Sequence, residues 1–216
     1  MIERIVASFA EYDQCFDGAD HSLLCRGVND ARYKLIPSLF RRREAGNFQM
    51  LEDSLLWLFK THAAPHLRVS PPSDLAWIVI GQHHGLPTRL LDWSLSPLVA
   101  LYFAVNSKPE SDGAVYSYDV FMFRKEENID LKQLDEIVAF IPSHSSRRVT
   151  AQSGQFTVHP FSAPELDNDR IVKYIVPSKL KAPLRRKLAK YGVHEANLFP
   201  DLDGLSAYLK WLKEYE

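Results

Sequence analysis

The sequence predicts an α+β fold in which helices flank a β-sheet. Apolar residues recur at helical spacing through most of the first half, runs of strand composition fill the middle of the second half, and helical spacing returns at the end. Grouped helices followed by grouped strands favour α+β over an alternating βαβ arrangement. With 216 residues and 46% hydrophobic residues, we expect a single domain over residues 1–216 with a sizeable core.

The first half contains four predicted helices and one predicted strand. Apolar residues at helical spacing predict an N-terminal helix over 2–17, and the short apolar run 22–28 predicts a buried strand that carries Arg26 near its end. Further helices are predicted over 44–64, 75–84 and 97–106. Ser73 or Asp74 and then Ser96 are suitable N-caps, Gly85 suits a helix stop, and Pro97 suits a first helical position.

The second half is predicted to supply most of the sheet. Residues 86–93 predict a turn and a short extended piece between two helices. Strand composition then appears in four segments, 114–123, 137–141, 155–158 and 170–176. Two closing helices are predicted over 178–191 and 202–215.

Composition disfavours several classes of protein. A formal net charge of −1 gives no broad positive field for nucleic acid or anionic membranes. Cys15 and Cys25 lack metal-ligand spacing, so we expect reduced thiols and no metal site. No apolar run approaches the roughly 20 residues of a membrane span, and the N-terminus does not resemble a signal peptide. We therefore expect a cytoplasmic protein that does not associate with membranes.

Residues 81–93 carry an unusual density of polar side chains between two apolar segments. Polar groups in such a place either satisfy one another when buried or face a ligand. Arg89 and Asp92 could pair and fix the loop, or could form a pocket wall on which Trp93 stacks a planar ring. His83 and His84 point about 100° apart on a helix, so they do not readily share a metal, and capping or core roles compete with catalysis.

Two further candidates lie outside this segment. Arg26, followed by Gly27, could present a guanidinium to phosphate or carboxylate, or could pair structurally with Asp92. Gln152 lies in a polar stretch before a predicted strand. A glutamine amide can position a substrate hydroxyl but cannot act as a general base, and it can equally stabilise a loop.

The same residues resemble the FRG domain family, which is named for a Phe-Arg-Gly motif. Here that motif reads Cys25-Arg26-Gly27, with the aromatic residue replaced. The stretch 82–104, which begins Gln-His-His-Gly-Leu-Pro-Thr-Arg-Leu-Leu-Asp-Trp, resembles the family's longest motif almost throughout. Shorter resemblances occur at 33–42, 151–156 and 199–204. The likeness therefore extends over most of residues 20–210.

The resemblance implies a fold and a chemistry. FRG domains are grouped by remote similarity with the ADP-ribosyltransferase-like fold, which is a split antiparallel β-sheet with flanking helices. Proteins with that fold use NAD as a substrate. By that likeness Arg26 holds the dinucleotide, the segment 88–93 with Tyr102 walls the nicotinamide pocket, and Gln152 faces the ribose. Asp92 is the carboxylate of the motif region that could stabilise the positive charge that develops on the ribose.

The resemblance thus implies an NAD-dependent ADP-ribosyltransferase, a toxin or phage-defence effector with an unknown macromolecular acceptor. The implied catalytic residues are Arg26, Asp92 and Gln152. The implied NAD contacts are Arg26, Gly27, His83, His84, Thr88, Arg89, Trp93 and Tyr102. Two alternatives remain open: a non-catalytic nucleotide-sensing module, and a nucleic-acid-binding module that uses the arginines of 41–43 and 147–148, which the net charge does not favour.

Overall fold

A computed structural model describes residues 1–18, 22–41, 46–67, 69–142 and 150–214. Its sheet has eight strands in the order β1-β8-β4-β2-β3-β7-β6-β5. The strands are β1 (Ile2–Ile5), β2 (Leu23–Val28), β3 (Leu90–Ser94), β4 (Gly113–Asp119), β5 (Arg124–Lys125), β6 (Val138–Ile141), β7 (Gly154–Val158) and β8 (Ile171–Val176).

Helices pack against this sheet and confirm the predicted α+β class. The described α-helices are α1 (Phe9–Gln14), α2 (Phe48–Ala63), α3 (Asp74–His83), α4 (Pro97–Val105), α5 (Ser178–Lys190), α6 (Glu195–Leu198) and α7 (Leu202–Glu214). Short 3₁₀ turns occur at Ser38–Arg41, Ala64–His66 and Glu126–Asn128. Among the described residues, none of these helices is both long and apolar enough to cross a bilayer.

The sheet is mixed, so the expectation of a split antiparallel sheet was wrong. The outer strand β1 runs parallel to β8, and β5 runs parallel to β6, whereas the other neighbouring strands are antiparallel. The two halves of the sheet also remain joined, because Cys25 of β2 pairs with Ser94 of β3. The relation to the ADP-ribosyltransferase-like fold stays a prediction.

The predicted helix over 2–17 was also wrong in its first half. Residues Ile2–Ile5 form β1, and only Phe9–Gln14 is helical, with the Ser8 hydroxyl capping the Glu11 N–H. In β1, Ile2 and Ile5 are 53% and 68% exposed, so their spacing did not mark a buried helical face. Backbone pairing with β8 and the Ser8 cap decide where the helix begins.

The remaining elements follow the predictions with shifted ends. Helices α3 and α4 match 75–84 and 97–106 closely, and Ser73 and Ser96 are their N-caps. Asn47 caps α2, which therefore begins after the predicted start at residue 44, a position outside the described residues. Strand β4 ends at Asp119 instead of continuing to residue 123. The extended piece predicted within 86–93 is β3, a central strand of the sheet.

Close backbone contact between α4 and β2 sets the position of the functional region. A Cβ atom on Gly27 would lie only 1.8 Å from the Ala100 carbonyl oxygen, so no larger residue fits without moving the helix. Helix α4 is buried along most of its length in a cluster that includes Cys25 and Val115. The start of α4 is thereby held over the point where β2 and β3 meet.

Candidate functional site

A cavity of about 220 Å³ opens where β2, β3, α3 and α4 come together. We call it the central cavity. Its polar wall includes the charged side chains of Arg26 and Asp92, together with amide, imidazole and hydroxyl groups. The residues that line it are Cys25, Arg26, Gly27, Gln82, His83, Asp92, Trp93, Ser94, Val99, Ala100, Phe103, Gln152 and Phe156.

The cavity lies at a weak seam of the sheet. Strand β2 pairs with β4 from Leu23 to Val28, but it pairs with β3 only through Cys25 and Ser94. The Arg26 side chain enters this seam and its Nη1 donates to the Asp92 backbone carbonyl at 2.5 Å. The guanidinium therefore satisfies a carbonyl that lacks a backbone partner on β2.

Arg26 keeps its charge in a partly desolvated place. Burial lowers the pKa of Arg26, the charge of Asp92 opposes that change, and the charge of Arg41 adds to the lowering. An arginine remains protonated at neutral pH even so. Since Nη1 of Arg26 lies 3.6 Å from Asp92 Oδ2, the cavity contains an arginine–carboxylate pair. The positive charge of Arg41 also acts on Arg26.

A chain of hydrogen bonds holds the Asp92 carboxylate in place. Gln82 Nε2 donates to Asp92 Oδ2 at 2.8 Å, and the Thr88 hydroxyl donates to Gln82 Oε1 at 2.6 Å. The Thr88 hydroxyl also accepts the Leu90 N–H at 3.1 Å, which leaves its proton for Gln82. The Gln82 amide is therefore fixed with its nitrogen towards Asp92, whose side chain is 56% exposed.

Gln152 reaches the same cavity from the chain that precedes β7. Its Nε2 donates to the Leu198 carbonyl at 3.1 Å, and its backbone carbonyl accepts the Ser94 hydroxyl at 2.7 Å. Within the described part of the chain its Oε1 accepts no hydrogen bond. An amide oxygen in this position can accept a hydroxyl proton from a ligand, but it brings no charge.

The two histidines of the central motif separate. His83, the last residue of α3, lines the cavity, whereas His84 is the exposed C-cap residue. Their rings meet edge to face with centroids 4.8 Å apart. The structure therefore brings His83, but not His84, to the predicted site.

Arg89 lies outside the central cavity, and the pairing with Asp92 that we considered does not form. Arg89 Nε instead lies 2.9 Å from Glu52 Oε2 on α2, and both side chains are almost fully buried. Its guanidinium also lies 4.4 Å from the centre of the Phe161 ring. Arg89 thus holds the start of β3 to α2, while Arg26 takes the place beside Asp92.

The aromatic residues of the predicted pocket wall are core residues. Trp93 lines the cavity but is only 3% exposed, and its indole N–H donates to Thr157 at 2.9 Å while its ring packs on Tyr118. Tyr102 is 1% exposed, lies outside the cavity lining, and burial raises its pKa. Neither ring offers an open face, so their burial does not support the stacking role.

Sequence reasoning missed several cavity residues, of which Gln82 is the most important. It is the one amide side chain in the apolar helix Asp74–His83. A single amide among apolar residues could have been recognised in the sequence as a candidate for the site. Ala100 and Phe103 were indistinguishable from the other apolar residues of α4. Thr88 was predicted to contact the ligand, but it is buried. Its hydroxyl instead donates to Gln82 Oε1.

Within the ranges that the structure describes, no group of three or more His, Cys, Asp or Glu side chains is arranged to hold a metal ion. The search of curated proteins and the search of solved structures each returned no match. The profile of the FRG domain matches residues 21–113, which include Arg26, Gln82 and Asp92 but not Gln152. The chain therefore contains, over residues 21–113, a match to the FRG domain.

Proposed function

We propose that the central cavity binds NAD and that the chain is an ADP-ribosyltransferase-like enzyme. The observation that carries the proposal is the Asp92 carboxylate, which Gln82 and Thr88 hold in a fixed orientation at the wall of a cavity that also contains Arg26. Oriented charges that need no rearrangement during a reaction are the largest source of catalysis in many enzymes.

Asp92 suits the charge that this reaction creates. Cleavage of the nicotinamide–ribose bond sends its electron pair to the departing nicotinamide and leaves positive charge on the ribose, until an acceptor nucleophile forms the new bond. A carboxylate close to the ribose stabilises that positive charge. Asp92 is the one carboxylate that lines the central cavity among the described residues.

Arg26 and Gln152 suit the two polar parts of the substrate. Only Nη1 of Arg26 is committed to the Asp92 carbonyl, so the remaining guanidinium N–H groups can donate to a phosphate. The Gln152 amide oxygen can accept a ribose hydroxyl, because only its nitrogen is used by Leu198. Three separate chain segments, β2, β3 and the approach to β7, thereby meet around the central cavity.

The size of the cavity indicates how the dinucleotide would lie. Pockets that enclose a whole drug-sized ligand hold roughly 300–1,000 Å³. The central cavity holds about 220 Å³, so we infer that it encloses the nicotinamide–ribose half. The pyrophosphate then lies at the mouth, within the field of Arg26 and Arg41.

A non-catalytic nucleotide sensor is the second candidate, and the pairing inside the cavity favours it. Arg26 already offsets the Asp92 charge, and Gln152 supplies no second carboxylate. A nucleotide could bind through the same groups without efficient bond cleavage. The nucleic-acid alternative has less support, because the formal net charge is −1 and Arg41 Nε donates to the Ile36 carbonyl. Arg42, Arg43, Arg147 and Arg148 lie outside the described residues.

The deciding experiment is calorimetric titration of NAD into the wild type and into Arg26→Ala, with nicotinamide release followed in the same samples. Asp119→Asn, an exposed carboxylate on β4, is the matched control. Binding with release, both lost in Arg26→Ala and kept in the control, supports the transferase. Binding without release identifies the sensor. Absence of NAD binding to the wild type rejects both candidates.

A further inference from the structure

The last helix of the chain, α7, is held to the rest of the protein by one face. On that face Trp211 is 6% exposed, and a Cβ atom on Gly204 would lie 2.0 Å from the Phe199 carbonyl oxygen. The Tyr208 ring stacks on His194 with the ring centroids 3.9 Å apart. These contacts fix the position of α7, and none of its residues lines the central cavity.

A different face of α7 carries four leucines in a heptad pattern. They follow one another at intervals of three, four and three residues, which is the spacing of the a and d positions of a coiled coil. Leu202, Leu205 and Leu209 are 79%, 43% and 52% exposed, and Leu212 is half-buried. We call these four residues the leucine seam. Within the part of the chain that the structure describes, much of its apolar surface faces solvent.

A continuous row of leucines differs from scattered apolar residues on a surface. Single exposed apolar side chains are common in proteins, whereas contiguous apolar patches mark interaction sites. A row at a and d positions fits between the side chains of a second helix with the same pattern. Because α7 is already helical in the fold, pairing would not have to pay for forming the helix.

The charges of α7 favour a second copy of the same helix in antiparallel orientation. Asp201 and Asp203 lie at its start, and Lys210 and Lys213 lie towards its end, where Glu214 offsets only part of their charge. An antiparallel pair brings the acidic end of each helix to the basic end of the other and also opposes the two helix dipoles. A parallel pair would bring like charges together.

The leucine positions are symmetric about the level of Ala207. A two-fold axis at that level places Leu205 of one copy opposite Leu209 of the other, and Leu202 opposite Leu212. An a position then faces a d position in every layer. Each leucine of the seam is thereby covered by a leucine of the second copy.

We propose that the leucine seam is the interface of an antiparallel, two-fold symmetric dimer of this chain. The seam extends over two heptads of a helix about 20 Å long, so its contact area is well below the roughly 800 Å² per partner of stable complexes. We therefore expect a reversible dimer with a dissociation constant of about 10–100 μM.

Sedimentation equilibrium of the full chain between about 5 and 500 μM tests the dimer. The average mass of the wild type should rise from that of a monomer towards that of a dimer. Leu205→Glu and Leu209→Lys each place a charge against a leucine, so each should raise the dissociation constant at least about tenfold. Leu58→Glu on α2, where the leucine is similarly exposed at 42%, is the control and should dimerise like the wild type. Circular dichroism checks that each variant is folded.

An equimolar mixture of Leu205→Glu and Leu209→Lys tests the antiparallel orientation. In the proposed dimer the two substituted positions lie opposite each other with opposite charges, and the other central layer keeps both leucines. The mixture should therefore dimerise at least about tenfold more tightly than either variant alone.

Three results would overturn the proposal. They are a wild type that stays monomeric throughout, dimerisation that both single substitutions leave unchanged, and a mixture that associates no more tightly than its components. A monomeric wild type would leave the seam to a helix of another protein. None of these outcomes depends on NAD.

Discussion

Arg26 and Arg89 each lie beside one carboxylate, yet the two pairs do opposite things. The Asp92 side chain is 56% exposed at a cavity wall, whereas the Glu52 side chain, on the buried face of α2, is 7% exposed. Gln82 and Thr88 orient Asp92 from outside the pair, whereas Glu52 Oε1 has no hydrogen-bond partner in the described part of the chain. An arginine–carboxylate pair thus makes a solvent-accessible polar site in one place and a buried structural link in the other.

The buried pair should give the largest loss of stability. Arg89→Ala leaves the Glu52 carboxylate buried without its cation, so we expect the free energy of unfolding to fall by about 3–5 kcal/mol. Urea unfolding followed by tryptophan fluorescence measures this change.

The matched control for Arg89 is an ion pair on the surface. Arg124 contacts Glu136 with both side chains substantially exposed, and exposed pairs contribute roughly 0–1 kcal/mol. Arg124→Ala should therefore shift the urea midpoint only slightly. Equal losses in the two variants would show that burial does not distinguish the pairs.

Asp92 gives the opposite pattern if the proposed transferase activity is correct. Asp92→Asn keeps the shape of the side chain but removes its charge, so nicotinamide release should fall about 10²-fold. The free energy of unfolding should change little, since the Asp92 side chain is more than half exposed. Single-turnover measurement of nicotinamide, with Asp119→Asn as control, tests this, and unchanged release would remove Asp92 from the mechanism.

His159 contacts the Arg89 backbone and provides a pH test. The backbone N–H of His159 donates to the Arg89 carbonyl, and its ring contacts the Thr157 hydroxyl. The residue is fully buried. Burial lowers the pKa of His159 to about 4, the Pro164 carbonyl opposes the change, and the charge of Arg26 adds to it. The ring is therefore neutral in the folded protein at neutral pH.

The sign of the pH effect follows from the two protonation states. Between about pH 6.5 and 4, His159 is protonated in the unfolded chain but stays neutral in the folded chain. The free energy of unfolding therefore falls as the pH falls. The contribution is at most about 1.36 kcal/mol per pH unit. Urea unfolding at pH 7 and pH 5 should show a smaller fall for His159→Gln than for the wild type. His84→Gln, at an exposed position, should retain the wild-type fall.

The sequence predicted the elements around the site better than the partners within it. Continuous apolar residues and serine caps located α3 and α4 because local interactions decide where such helices begin. Strand β1 was missed because its pairing with β8 joins residues at opposite ends of the chain. The partner of Arg89 was missed for the same reason, since Glu52 on an amphipathic helix resembles any surface acid until α2 is placed.

Arg26 and Asp92 show where sequence reasoning succeeded. Their pairing was one of two alternatives for Arg26, and the structure shows that the pair forms at the wall of a cavity. The residue types alone could not distinguish a buried structural ion pair from an ion pair that faces a ligand, because the two differ in solvent exposure and not in composition. Asp92 is exposed and Arg26 is partly exposed because β2 and β3 pair through only one pair of residues. The extent of pairing between two strands cannot be read from the spacing of residues in the sequence.

Thr88 should give the smallest effect, and it separates orientation from charge. Thr88→Val keeps the volume but removes the hydroxyl that holds Gln82 Oε1, so we expect a loss of about 1 kcal/mol in unfolding free energy. Nicotinamide release should fall less than in Asp92→Asn, because the carboxylate remains but its amide partner can turn. Thr61→Val, which removes an exposed hydroxyl bonded to the Trp57 carbonyl, is the control. If Thr88→Val lowers stability but leaves release unchanged, the Gln82 orientation supports the fold only, and the contrast between the two arginine pairs then rests on exposure alone.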